Sequence, residues 1–85
     1  MENIQNDVFA IIKDKLKIDL NGKESDLSEK NIFSHEINVT PINLIYLMVL
    51  IEKKYGIRFT EEDFDSSDFY TIKGMSSIIM AHINA

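Results

Sequence analysis

The stretch from Val39 to Gly56 constrains the fold most, because it predicts one helix with apolar residues on nearly every side. Thr40 can cap the helix with its hydroxyl, and Pro41 suits the first helical position, where a missing N–H leaves no hydrogen bond unmade. Gly56 suits the left-handed residue that ends a helix. One predicted face holds Leu44, Leu47, Met48, Ile51 and Tyr55, and most of the remaining surface holds Ile42, Ile45, Tyr46, Val49 and Leu50. Such a helix is either central to the fold or half of an interface.

The length and composition predict one small folded domain covering residues 1–85. The chain has no cysteine, so disulfides and zinc sites with thiolate ligands are excluded. An apolar fraction of 45% and a charged fraction of 27% are typical of a folded protein and not of a disordered one. Stability must therefore come from packing.

The charge balance excludes one class of partner. A net charge of −5 argues against nucleic acid, because phosphate binding depends on clusters of Lys and Arg. The first residues lack the pattern of a signal peptide, and the longest apolar run, Leu44 to Ile51, is too short to span a bilayer. We therefore expect a cytoplasmic protein with no nucleic-acid or membrane partner.

The residues before the central helix predict one amphipathic helix and a long loop. Apolar residues at helical spacing over positions 2–18 are Ile4, Val8, Ile11, Ile12 and Leu16, with Ile18 as a possible sixth. The loop from 19 to 31 contains the turn signal Asn21-Gly22, and Leu27 is its expected anchor. Phe33 and Ile37 are expected to enter the core from the following loop.

The residues after Gly56 predict a short helix and a final long one. Thr60 and Asp63 have the spacing of a capping box, which predicts a helical turn through Phe64, and residues 66–68 break the pattern. Thr71 can cap a last helix that buries Ile72, Met75, Ile79 and Ile83. Gly74 either weakens this helix or permits a close backbone approach. The predicted fold is an all-α bundle of three main helices and one short helix, with a long first loop.

The order of these features resembles the acyl carrier protein family, and the resemblance covers nearly the whole chain. That family has a Leu-Gly-x-Asp-Ser-Leu motif at the start of its second helix. Here Ile37-Asn38-Val39-Thr40-Pro41-Ile42 aligns with the motif without a gap. Glu52-Lys53-Lys54-Tyr55-Gly56-Ile57 looks like the end of the second helix, and Thr71-Ile72 matches the start of the fourth. The resemblance implies an acyl-carrier-like four-helix bundle.

The chain departs from this family where the family carries its cofactor. The motif's serine hydroxyl carries 4'-phosphopantetheine, but Pro41 occupies that position and has no hydroxyl. Thr40 and Ser34 are the fallback hydroxyls for a carrier that bears the arm at an unconventional position. A chain with this departure is similar to the acyl carrier-related components of bacterial peptide maturation systems. We therefore expect no cofactor and a binding role, with a functional acyl or peptidyl carrier as the alternative.

The resemblance places the expected partner surface on the second helix. Family members present carboxylates there, whereas this chain has apolar and uncharged residues. The predicted partner-binding residues are Thr40, Pro41, Ile42, Asn43, Tyr46, Val49 and Leu50. The partner would be an enzyme or modification machinery, or a second copy in a homodimer. A third possibility is that the other helices cover this face completely.

The remaining polar residues predict neither catalysis nor metal binding. His35 and His82 have no second His or Cys at ligand spacing, and solvent-exposed or capping roles are expected for them. The acids at 61–68 lack the spacing of a calcium loop and complement a helix start instead. The three tyrosines lie near no recognisable pair of nucleophile and base. We therefore expect a protein that is not an enzyme.

Overall fold

The computed structural model describes residues 3–20 and 22–85, and it is all-α over those residues. Its elements are α1 (Asn3–Ala10), which continues as a π-helical turn (Ile11–Lys15), α2 (Glu24–Leu27), α3 (Pro41–Tyr55), α4 (Glu61–Asp65), a 3₁₀ turn (Ser67–Tyr70) and α5 (Ile72–Ile83). The predicted all-α class is confirmed. Glu2, the predicted start of the first helix, and Asn21, part of the predicted turn, lie outside the described residues. No helix among the described residues has the length and apolar character needed to cross a bilayer.

The first helix buries the predicted stripe but ends earlier than predicted. Ile4, Val8 and Ile12 are buried in the core. The helix stops because Lys17 adopts a left-handed conformation, with φ 60°. The N–H of Ile18 then donates to the carbonyl of Ile12 at 3.2 Å, six positions back, which closes the end of the π-helical turn. The predicted continuation to residue 18 is therefore wrong.

α3 begins and ends at the predicted residues. The Thr40 hydroxyl accepts a hydrogen bond from the N–H of Asn43 at 3.1 Å, and Pro41 is the first helical residue. Gly56 takes φ 66°, and its N–H donates to the carbonyl of Glu52 at 2.9 Å. The predicted inner face is confirmed: Leu47 and Ile51 are buried, and Leu44, Met48 and Tyr55 pack half-buried against the core.

The long first connection partly confirms the predicted core contacts. Leu27 and Ile37 are buried as predicted, and α2 forms around Leu27 without having been predicted. Phe33 was expected in the core but is 42% exposed. Its neighbour Ile32 is buried instead; the two residues lie in a turn that is closed by a hydrogen bond from the N–H of Ser34 to the carbonyl of Asn31 at 2.9 Å.

Side-chain caps fix the two C-terminal helices as predicted. The Asp63 N–H donates to the Thr60 hydroxyl, and the Asp63 carboxylate accepts from the Thr60 N–H at 2.8 Å, which completes the capping box of α4. The Thr71 hydroxyl accepts from the Gly74 N–H at 2.9 Å at the start of α5. Residues 66–68 do break α4, but residues 67–70 then form the 3₁₀ turn, which was not predicted.

One hydrophobic core joins these elements. Its aromatic part is centred on Phe69, whose ring meets Phe59, Phe64 and Tyr70 edge to face at centroid distances of 5.1–5.3 Å. Ile72, Met75 and Ile79 of α5 are fully buried beside it. Ile83, predicted for the same face, is 43% exposed in the last turn. α1 packs against α5, and α5 packs against the 3₁₀ turn.

Gly74 allows that last contact. A Cβ atom at this position would overlap the backbone carbonyl of Asp68, and backbone cannot rotate away as a flexible side chain can. The close approach predicted as one of two roles for Gly74 is therefore confirmed.

Gly74→Ala should lower the free energy of unfolding by about 1–3 kcal/mol, the usual cost of overpacking, although alanine is the better helix former. Urea denaturation followed by circular dichroism measures the change. Gly22→Ala is the control, because the three atoms nearest to a Cβ there belong to the Leu27 side chain and lie at ordinary contact distances of 3.5–3.7 Å. Equal or greater stability of Gly74→Ala would contradict the close approach.

Candidate functional site

α3 exposes a band of large apolar side chains on the side that faces away from the core. We call it the α3 stripe: Ile42, Ile45, Tyr46 and Val49. Their exposed fractions are 77%, 62%, 52% and 41%. The possibility that the other elements cover this face of the helix is therefore wrong.

Helical geometry explains why one sequence produces two apolar faces. At roughly 100° per residue, the spacing i, i+3, i+4, i+7 places the four residues of the stripe within an arc of about 100°. Leu47 and Ile51 lie on the opposite side by the same count and are buried. Because the inner face packs against the core, the stripe on the opposite side of the helix remains in contact with solvent.

The structure places most of the predicted partner-binding residues at the surface. Thr40, Pro41, Ile42, Tyr46 and Val49 are exposed, whereas Asn43 and Leu50 are half-buried on the flank of the stripe. Ile45 was missing from the predicted set, although it is more exposed than Tyr46. Its spacing of three residues from Ile42 and four from Val49 was the signal that could have included it.

The head of α3 is held by the backbone before it. Asn38 takes φ 67°, a left-handed conformation that Asn tolerates better than most residues. The N–H of Val39 donates to the carbonyl of Ile32 at 2.8 Å, and Val39 is buried. Thr40 follows directly and caps the helix. These hydrogen bonds fix the position at which α3 begins relative to the core.

The fallback hydroxyls differ in their surroundings. The Ser34 hydroxyl oxygen is buried from solvent. Thr40 is exposed, but its hydroxyl already accepts the capping hydrogen bond from Asn43. Pro41 is exposed and offers no hydroxyl. An enzyme that modifies a hydroxyl must reach its oxygen, so Thr40 is the more accessible of the two candidates.

The C-terminal end of α3 borders an open recess of about 470 Å³. The recess is lined by Val49, Glu52, Lys53, Gly56, Ile57 and Arg58. Val49 also belongs to the stripe, so the recess continues the apolar surface toward charged residues. The Glu52 carboxylate accepts a hydrogen bond from the N–H of Phe59 at 2.9 Å, which ties α3 to the segment after it.

The titratable pairs lie away from the stripe. The Tyr55 hydroxyl donates to the Asp7 carboxylate at 2.5 Å, and burial together with that hydrogen bond raises the pKa of Tyr55 above its ordinary range. His82 Nε2 lies 2.7 Å from Asp63 Oδ2, and the His82 side chain is half-buried. Of the two roles expected for His82, solvent-exposed or capping, the solvent-exposed one is therefore wrong. His35 is exposed. No group of three His, Cys, Asp or Glu side chains in residues 3–20 and 22–85 is placed to hold a metal.

Comparison with known proteins finds no family model that matches the chain and no solved structure that matches it. The geometry of the α3 head and stripe therefore carries the functional argument.

The Asp63 carboxylate should make the free energy of unfolding depend on pH. Burial alone would raise the pKa of Asp63, but hydrogen bonds from His82 and from the Thr60 N–H outweigh burial and lower it. A lowered folded pKa stabilises the protein above the unfolded pKa of about 3.9, and this contribution is lost as the pH falls through the folded value. Asp63→Asn should therefore reduce stability at pH 6. Below pH 4, the stability of the variant should fall less steeply with pH than that of the unaltered protein.

Urea denaturation at a series of pH values measures this effect. Asp65→Asn is the matched control, because Asp65 is an exposed acid on the same short helix. If Asp63→Asn and Asp65→Asn gave the same pH profile as the unaltered protein, the assigned role of the Asp63 hydrogen bonds would be wrong.

Proposed function

We propose that the protein is a divergent acyl-carrier-like binding module that acts through α3 and bears no phosphopantetheine on the head of that helix. Its partner would be an enzyme or other component of a biosynthetic or peptide-modifying system. The observation that carries this proposal is the α3 stripe beside Pro41, since the stripe is exposed where the resembled family presents carboxylates.

The energetics of the stripe favour an interface. Removing apolar surface from water contributes about 25 cal/mol of favourable free energy per Å². The four side chains of the stripe do not contribute this free energy while they face water. Contiguous apolar patches rimmed by polar residues mark interaction sites on soluble proteins. Tyr46 lies within the stripe, and tyrosine is enriched among the residues that dominate binding energy.

The size of the stripe favours a groove on another protein over a second copy of this chain. From Ile42 to Val49 the stripe spans about 10 Å along the helix axis. Two copies packed stripe to stripe would meet along one convex line, which falls short of the roughly 800 Å² that a standard interface buries on each partner. A groove can also contact the flanks of α3, where Asn43 and Leu50 are half-buried. Helix-in-groove docking is therefore the proposed mode.

The order of the elements supports the acyl-carrier-like part of the proposal. A first helix, a long connection, a capped helix ending in Tyr55-Gly56, a short helix and a Thr71-capped last helix follow one another as the resemblance implies. The additional α2 lies inside the long connection, and the 3₁₀ turn lies between α4 and α5. Both lie in segments where loops tolerate insertion.

The absence of an arm is tested by intact-mass spectrometry after incubation with coenzyme A and a broad-specificity phosphopantetheinyl transferase. We expect no mass increment, because Pro41 has no hydroxyl and the Ser34 oxygen is buried. A conventional acyl carrier protein in the same reaction controls for enzyme activity. A phosphopantetheine increment that Thr40→Val removes would instead establish the carrier alternative at Thr40.

Docking is tested with a photo-crosslinking residue at Ile45 in an extract of the source cells. The captured polypeptide is identified, purified and titrated against the protein by calorimetry. Tyr46→Glu should weaken binding by about thirtyfold or more, the loss expected at a binding hot spot, because it places a charge in the apolar interface.

The control is Ile83→Glu, which introduces the same charge at an apolar residue with 43% exposure on α5. Equal losses from Tyr46→Glu and Ile83→Glu, or no loss from either, would contradict docking through the stripe. Light scattering across protein concentrations detects self-association, and a dimer abolished by Tyr46→Glu would make the second copy the partner.

A further inference from the structure

Resting on the proposed function, we infer that the partner's apolar groove carries carboxylates at the end that receives the C-terminus of α3. The inference rests on the position of the recess that contains Lys53 and Arg58, which adjoins the α3 stripe. Val49 belongs to both surfaces. The proposed ligand of the recess is thus an acidic rim on a protein surface.

The recess presents positive charge to solvent. Lys53 and Arg58 are both exposed and line it from two different segments, one helical and one following Gly56. The single acid of the recess, Glu52, is half-buried and accepts a hydrogen bond from the N–H of Phe59. Within residues 3–20 and 22–85, the ion pairs formed by side chains include neither Lys53 nor Arg58.

This local charge opposes the charge of the whole chain. The residues that line the recess include two basic residues and one acid, a net charge of +1, so the remainder of the chain carries −6. The acids concentrate elsewhere, as in the run Glu61, Glu62 and Asp63 at the start of α4. Exposed charges are screened over about 8 Å at physiological salt, so a docked partner responds most strongly to the charges nearest to it.

The first turn of α3, at the opposite end of the stripe, contains no charged residue. The head of α3 presents Thr40, Pro41 and Asn43, all uncharged. Ile42, Ile45 and Val49 also lack any polar group, so hydrophobic contact alone would fit either direction of the helix in a groove. Two basic residues at one end select one direction of the helix in the groove, because electrostatic complementarity fixes register and excludes mismatched partners.

Lys54 does not contribute to this end of the interface. It lines a separate recess of about 130 Å³ together with Asp7, Asp14 and Lys15, where acids and bases are mixed. Lys53 and Arg58 are therefore the residues to which the inference assigns recognition of the acidic rim.

Two synthetic helical hairpins serve as probes. Both have the same leucine-lined concave face, and one carries Glu and the other Lys at one end of the rim. Calorimetric titration at about 20 mM salt should give at least fivefold tighter binding of the Glu hairpin, and the preference should shrink at about 300 mM salt because screening weakens exposed charge pairs. The double variant Lys53→Glu/Arg58→Glu should reverse the preference.

The double variant Lys17→Glu/Lys23→Glu is the control, since it makes the same change in net charge at exposed positions outside the recess. It should leave the preference for the Glu hairpin in place. Equal binding of both hairpins to the unaltered protein, or reversal by the control variant, would overturn the inference but leave docking through the stripe intact. Failure of both hairpins to bind, with Tyr46→Glu giving the same titration, would overturn the inference and the proposed function together.

Discussion

The single hydrophobic core limits how much of α3 this protein can bury. A chain of 85 residues supports one core, and that core covers only the side of α3 that carries Leu47 and Ile51. The helix contains more apolar surface than its neighbours can cover. The excess is concentrated in the α3 stripe, so the surface proposed for binding exists because of the same apolar composition that fixes the fold.

The caps give this arrangement its fixed geometry. Thr40, Thr60 and Thr71 each satisfy a backbone N–H at the start of a helix, which would otherwise be left without a partner. Phe69 then holds the C-terminal elements together through its edge-to-face contacts, and Gly74 lets the 3₁₀ turn approach α5. α3 consequently projects its stripe from a scaffold whose C-terminal helices, α4 and α5, begin at defined residues.

The features predicted correctly from the sequence are those with a local chemical signal. The ends of α3, the capping box of α4 and the start of α5 depend on Thr, Pro and Gly at fixed positions, and each formed as expected. The inner and outer faces of α3 also follow from helical periodicity. These signals require only neighbours within about four residues, so tertiary contacts were not needed to predict them.

The features that were missed lack such a local chemical signal. Lys17 takes a left-handed conformation usually signalled by Gly, and Ile32 enters the core where Phe33 was expected. The N–H of Ile32 donates to the carbonyl of Tyr70, a contact across 38 positions that no local pattern reveals. Ile45 was left out of the candidate site for a different reason, since its exposure follows from how much of α3 the core can cover.

The rigid head of α3 has a consequence for the entropy of association. Pro41 has a fixed φ, Asn38 and Val39 are held by backbone hydrogen bonds to Ser34 and Ile32, and Thr40 is engaged as the cap. Segments that order on binding lose conformational freedom, which subtracts from the free energy of the contacts they make. A helix already ordered from its first residue retains more of that free energy, so a small apolar surface can give useful affinity.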